Sequence, residues 1–103
     1  MSARATDAPR TIRRGTPADA STVLALVRGL AEYEQLSHEV VATEDDVRRV
    51  LAGTPPGVEC LLAESGGVAV GFALFFANFS TFLGRGGVYL EDLFVVPAAR
   101  GRG

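Results

Sequence analysis

The chain has 103 residues, a net charge of −2, 48% hydrophobic and 21% charged residues, and a single cysteine. That length bounds it to one domain, and the composition excludes an intrinsically disordered chain. The near-balanced charge argues against a nucleic-acid or anionic-membrane partner, and one cysteine excludes a disulfide framework, which fits a reducing cytoplasm.

Residues 1–9 read as a flexible tail, with none of the apolar run of a secretory leader. "RTIRR" (10–14) is a strand candidate. Thr16-Pro17-Ala18-Asp19 then opens a helix, with Thr16 as N-cap, Pro17 at the first helical position and Asp19 completing a capping box. Val23, Leu24, Val27, Leu30 and Ala31 recur at helical spacing and carry that helix to about Gln35. His38, in "LSHEV" between the helices, reads as solvent-exposed. Thr43 caps a second helix, and Glu44, Asp45 and Asp46 suit its positive end better than they suit catalysis. "GTPPG" (53–57) ends it.

The hydrophobic period then changes from helical to strand-like. "VECLLAE" (58–64), a turn at "SGG", and "VAVGFALFFA" (68–77) predict a β-hairpin. The apolar segment from Val68 to Phe79 is well short of the ~20 residues that span a bilayer. Cys60 lies inside the first of these strands and reads as a small core residue. "NFSTFLGRGG" (78–87) reads as a Gly-rich loop, and "VYLEDLFVV" (88–96) as the last strand, closed by Pro97. The predicted fold is mixed α+β in the order β-α-α-β-β-β, with a mostly antiparallel meander.

Two features carry chemistry. Glu91 and Asp92 are adjacent in an apolar strand, and strict alternation sends their side chains to opposite faces. One of them then sits near an interior surface or cleft, where a carboxylate is costly unless it is bonded or functional; the alternative is that both lie at an exposed edge. Beyond them, "ARGRG" has the glycines and arginines of an anion-holding loop.

Taken together, "TPADASTVLALVRGLAEYEQL", "VGFALFF" and "YLEDLFVVPAARGRG" resemble the GNAT superfamily of N-acetyltransferases. Within it they are most similar to the branch of diamine (spermidine/spermine-type) acetyltransferases. The likeness spans residues 11–103. It implies acetyl-CoA as co-substrate, with no metal, and a primary amine of a small molecule as acceptor, attacked directly. By the resemblance, Glu91 is the base that deprotonates the substrate ammonium, and Asp92, Tyr33, Glu34 and Phe82 line the substrate side. Phe94, Val95 and Val96 lie along the pantetheine arm, and Arg100, Gly101, Arg102 and Gly103 begin the pyrophosphate loop. For Tyr33 and Glu34 an ordinary helix end, and for Phe82 a place in the core, are the other readings. The loop 78–86 has none of the acidic residues of polyamine-specific members, so another small amine is as compatible.

The family pattern continues past this loop. The expectation is therefore that residues 10–103 are the N-terminal portion of a longer, cytoplasmic, homodimeric enzyme, inactive as it stands. A non-catalytic acyl-CoA-binding module is the alternative.

Overall fold

The computed structural model describes residues 10–53 and 57–100, with the backbone alone at 78–80. The elements in chain order are β1 (Arg10–Arg14), α1 (Ala20–Tyr33), α2 (Glu44–Leu51), β2 (Glu59–Ser65), β3 (Val68–Ser80) and β4 (Arg85–Val95). Short 3-10 turns lie at Pro17–Asp19, Ser37–Glu39 and Pro97–Ala99. The strands stand in the order β1-β2-β3-β4 with each neighbouring pair antiparallel, so the expected meander is present. The tail expected over residues 1–9 and the Thr54-Pro55-Pro56 break lie outside the described residues.

The two helix starts are built as their sequences predict. Asp19 Oδ2 accepts the Thr16 backbone N–H at 2.8 Å and the Thr16 hydroxyl at 3.1 Å. The first turn there is 3-10, and the α-helix proper begins at Ala20. At α2, Thr43 Oγ1 accepts the Asp46 N–H at 3.1 Å while Asp46 Oδ2 accepts the Thr43 N–H at 2.8 Å. Each carboxylate thereby satisfies a backbone donor at its helix start.

Arg13 joins three elements. Its Nε donates to Glu64 at 2.9 Å, and its Nη atoms donate to the two Asp19 oxygens at 2.7 and 2.9 Å. One guanidinium thus ties β1 to β2 and to the start of α1, and its bonds hold the Asp19 carboxyl well below the usual carboxylate range.

The core lies on one face of the sheet. Cys60 and Leu62 of β2, Phe72 of β3 and Phe94 of β4 meet Val23 and Leu26 of α1, all of them buried. Val47 and Leu51 of α2 pack against the margin. Burial pushes the Cys60 thiol up to about 11, as fits a core residue rather than a nucleophile. On the opposite face Ile12, Leu61 and Leu93 remain substantially exposed.

The Gly-rich loop expected over 78–87 is instead mostly strand. β3 runs on to Ser80 and β4 begins at Arg85, leaving a turn of four residues, 81–84. Cross-strand pairing of Asn78, Phe79 and Ser80 with Gly87, Gly86 and Arg85 overrides the loop preference of the glycines. Only Gly84, at φ 67°, uses left-handed backbone in this turn.

Helix α1 ends on a Schellman motif. Leu36 N–H donates to Ala31 O at 2.7 Å and Gln35 N–H to Glu32 O at 3.0 Å, with Gln35 at φ 60°. Glycine ordinarily takes that left-handed position, because a Cβ there crowds the following carbonyl. Gln35→Gly is expected to raise the unfolding free energy by about 0.5–1 kcal/mol. Urea titration reads this as a higher midpoint at unchanged slope; a lower midpoint would mean that chain entropy outweighs the relieved strain.

Candidate functional site

The site is built on the C-terminal half of β4, the edge strand of the sheet among the described residues. Val95, Phe94, Leu93 and Asp92 pair in turn with Gly71, Phe72, Ala73 and Leu74, but the next partner, Phe75, faces Leu90. Glu91 is therefore an extra residue, a β-bulge. This corrects the strict alternation expected for Glu91 and Asp92. Paired residues share a face, so Asp92 lies with Leu74 and Phe94 on the helix-covered side. Leu90 and Leu93, three apart, both lie on the other. Glu91 sits at the bend between them with its side chain exposed.

Asp92 is half-buried beside a cleft of about 210 Å³ between the helices and the sheet, shared with Val27, Val47, Leu51 and Leu74. Burial pushes its carboxyl up, and the nearby charges of Glu91 and Glu34 push it the same way. Glu34, at the end of α1, is thus within electrostatic reach of Asp92.

The main chain of β4 is polarised by residue. Val96 N–H donates to Val70 O at 2.8 Å, and Phe94 O lies only 2.8 Å from where a Cβ on Gly71 would stand. Both residues therefore turn their main-chain groups toward β3, and Gly71 has no room for a side chain. Antiparallel alternation sends the N–H and C=O of Val95 to the outer edge, where Val95 O accepts from Arg100 Nε at 2.7 Å. Of the three residues expected along a cofactor arm, Val95 alone presents its main chain there; Phe94 is a core residue and Val96 is bonded inward.

Arg100 follows the Pro97–Ala99 turn, and its guanidinium lies 4.4 Å from the Tyr33 ring centroid and 5.4 Å from that of Phe94. The turn beneath it is anchored from the far end of the sheet, because Arg10 Nη2 donates to the buried Ala99 carbonyl at 2.8 Å. Sequence reasoning found neither the Arg10 contact nor the bulge. The first joins residues 89 apart in sequence, and nothing in the sequence marks it.

Other expected residues lie elsewhere. Phe82 is at the hairpin tip, 99% exposed, in neither the core nor the carboxylate cluster. His38 is exposed in the Ser37–Glu39 turn, as predicted. Gly101, Arg102 and Gly103 lie outside the described residues. Among the described residues no cluster of His, Cys, Asp or Glu side chains could hold a metal ion, and no helix is long and apolar enough to cross a membrane.

The raised Asp92 pKa has a definite consequence for stability. A carboxyl that holds its proton more tightly folded than unfolded destabilises the fold as pH rises through its folded pKa, and is without effect below its unfolded pKa. Asp92→Asn should therefore gain on the wild type at pH 7 relative to pH 3. Equal differences in unfolding free energy at the two pH values would show that Asp92 ionises in the fold without cost.

A family model described as "Acetyltransferase (GNAT) family" matches residues 26–103. The thialysine N-epsilon-acetyltransferase of Mus musculus is 38% identical over 100 residues, which cover 89% of this chain and 58% of that protein. The chain thus spans a little over half the length of this curated relative. Among solved structures, a ribosomal-protein-alanine N-acetyltransferase from Brucella melitensis superposes with a TM-score of 0.71 at 20% identity, covering 92% of this chain and 62% of its own. An aminoglycoside N-acetyltransferase in complex with CoA superposes at 0.69 with 21% identity, covering all of this chain and 64% of its own. At those identities the structures speak for the fold.

Proposed function

The chain belongs to the acetyltransferase (GNAT) family, and from that premise we propose that its protein moves an acetyl group from acetyl-CoA to a primary amine of a small molecule. The observation that carries the reading is the β4 bulge. It sets Glu91 beside a half-buried Asp92 on the same strand that turns the Val95 main chain outward. The name of the mouse relative, an N-epsilon-acetyltransferase of thialysine, supports an acceptor with an amine at the end of a short chain.

An alkyl ammonium has no lone pair to offer a thioester until it loses a proton. Glu91, exposed at the bulge, is the base that takes it, directly or through one water. Asp92 and Glu34 hold the cationic substrate, favouring the charged amine on arrival. Tyr33 borders the same region from the last turn of α1. The outward main chain of Val95 pairs with the extended amide-bearing arm of the cofactor, as a strand edge pairs with any extended peptide-like chain. The attacking amine forms the new C–N bond, the C–S bond breaks, and CoA leaves as a thiolate that takes up the proton the new amide nitrogen sheds; developing charge on the carbonyl oxygen is met by backbone N–H donors. Arg100, with Gly101, Arg102 and Gly103, receives the pyrophosphate.

The reading extends to a cytoplasmic homodimer, and a single free, buried thiol is compatible with a reducing compartment. The exposed apolar residues Ile12, Leu61 and Leu93 support the burial of that sheet face against further protein.

Calorimetric titration of acetyl-CoA into this chain and into the complete product of its gene tests the cofactor reading. Saturable binding by the complete product is expected, and its absence would remove the assignment. Within an active protein, Glu91→Gln should lower kcat/KM for the amine by about 10²–10⁴-fold while acetyl-CoA affinity stays within about twofold. Unchanged turnover would take Glu91 out of the reaction.

A further inference from the structure

We propose that Arg100 is an internal latch on the cofactor strand, and that Tyr33 is the positioning residue that sets how firmly it closes. The inference rests on the acetyl-CoA reading above and deepens it.

Arg100 makes three contacts from one side chain. Nε donates to the Val95 carbonyl at 2.7 Å, and the guanidinium stacks over Tyr33 at 4.4 Å and near Phe94 at 5.4 Å. The carbonyl it occupies is the outward acceptor of the pantetheine strand; the main-chain groups of Phe94 and Val96 face β3. The Nε–H of Arg100 already takes one lone pair of that oxygen, so an amide N–H arriving along the strand edge meets the guanidinium there. The seat also lies by the C-terminal turn of α1, where the helix dipole favours a cation.

The two rings play different parts. Phe94 is 5% exposed, and its ring edge would come within 3.2 Å of a Cβ at Gly29, so it is fixed by the α1–sheet packing. Tyr33 is 62% exposed and outside the core cluster. Its ring can be removed without opening a cavity, which makes it the adjustable half of the seat. When the strand edge is taken by the cofactor arm, the released guanidinium lies five residues beyond Val95, at the start of the proposed pyrophosphate loop. One side chain thus serves first as a cover and then as a phosphate ligand. The cost of lifting it from Tyr33 is deducted from cofactor affinity.

A cation–π contact at an exposed site is worth about 0.5–1 kcal/mol, so Tyr33→Leu should bind acetyl-CoA about 2–5-fold more tightly than wild type. Tyr33→Phe, which keeps the ring, should restore wild-type affinity. A merely structural Tyr33 would instead give weaker binding in the leucine variant. The second readout needs no cofactor: in ¹⁵N spectra, Arg100 Nε–H should exchange with water more slowly than that of the exposed Arg85. That protection should vanish in Tyr33→Leu and persist in Tyr33→Phe. Wild-type binding with unchanged or weaker affinity in Tyr33→Leu overturns the latch and leaves the cofactor reading standing. So does an unprotected Arg100 Nε–H in the wild type. No binding by the complete wild-type protein overturns the cofactor reading itself, and the latch falls with it.

Discussion

A single apolar layer between α1 and one face of the sheet holds the described structure together. Val23 and Leu26 close on Cys60, Leu62, Phe72 and Phe94, and these come from alternate positions of three adjacent strands. Because side chains alternate with a period of two, a slip of one residue anywhere in that ladder would turn these groups to the outer face. The register is therefore set by the core, and everything at the site inherits it. Phe94 in the core orients β4, and β4 carries the carboxylates on one side of Phe94 and the Arg100 turn on the other.

The bulge is where packing and chemistry meet. Leu93 and Val95 of β4 share a face, Phe94 faces the helices, and Asp92 follows Phe94 inward by the same alternation. Without an extra residue the next position would fall on the outer face and the strand would continue straight. Glu91 absorbs the mismatch, so the ladder resumes at Leu90 opposite Phe75 while the chain bends. The outcome is two neighbouring carboxyls in unlike surroundings, one exposed and one half-buried. Burial favours the neutral form of the half-buried one, Asp92.

Charged side chains divide along the same lines. Arg13, with Asp19 and Glu64, locks β1 to β2 and to the start of α1 on the structural side of the sheet. Arg48 and Arg49 pair with Glu44, Asp45 and Asp46 within α2, where the acids also favour the helix start. Arg10 and Arg100 act differently, since each bonds a main-chain carbonyl near the end of β4. The acids of α2 are thereby accounted for by their own helix.

The sequence by itself determined what short-range chemistry can determine. Thr16-Pro17-Ala18-Asp19 and Thr43 through Asp46 specify helix starts because each cap and its partner are three residues apart. The change from helical to alternating periodicity at Val58 marks the passage from helices to strands, and the motif around Glu91 and Arg100 gives the family. Residues 78–80 and 85–87, expected as loop, are strand, because the loop preference of Asn, Ser and Gly yields to a committed cross-strand partner. The bulge, the outward turn of Val95, the half-burial of Asp92 and the reach of Arg10 to Ala99 were decided only by tertiary structure. Each depends on which residue stands opposite which across strands far apart in sequence, and local propensity carries no information about that.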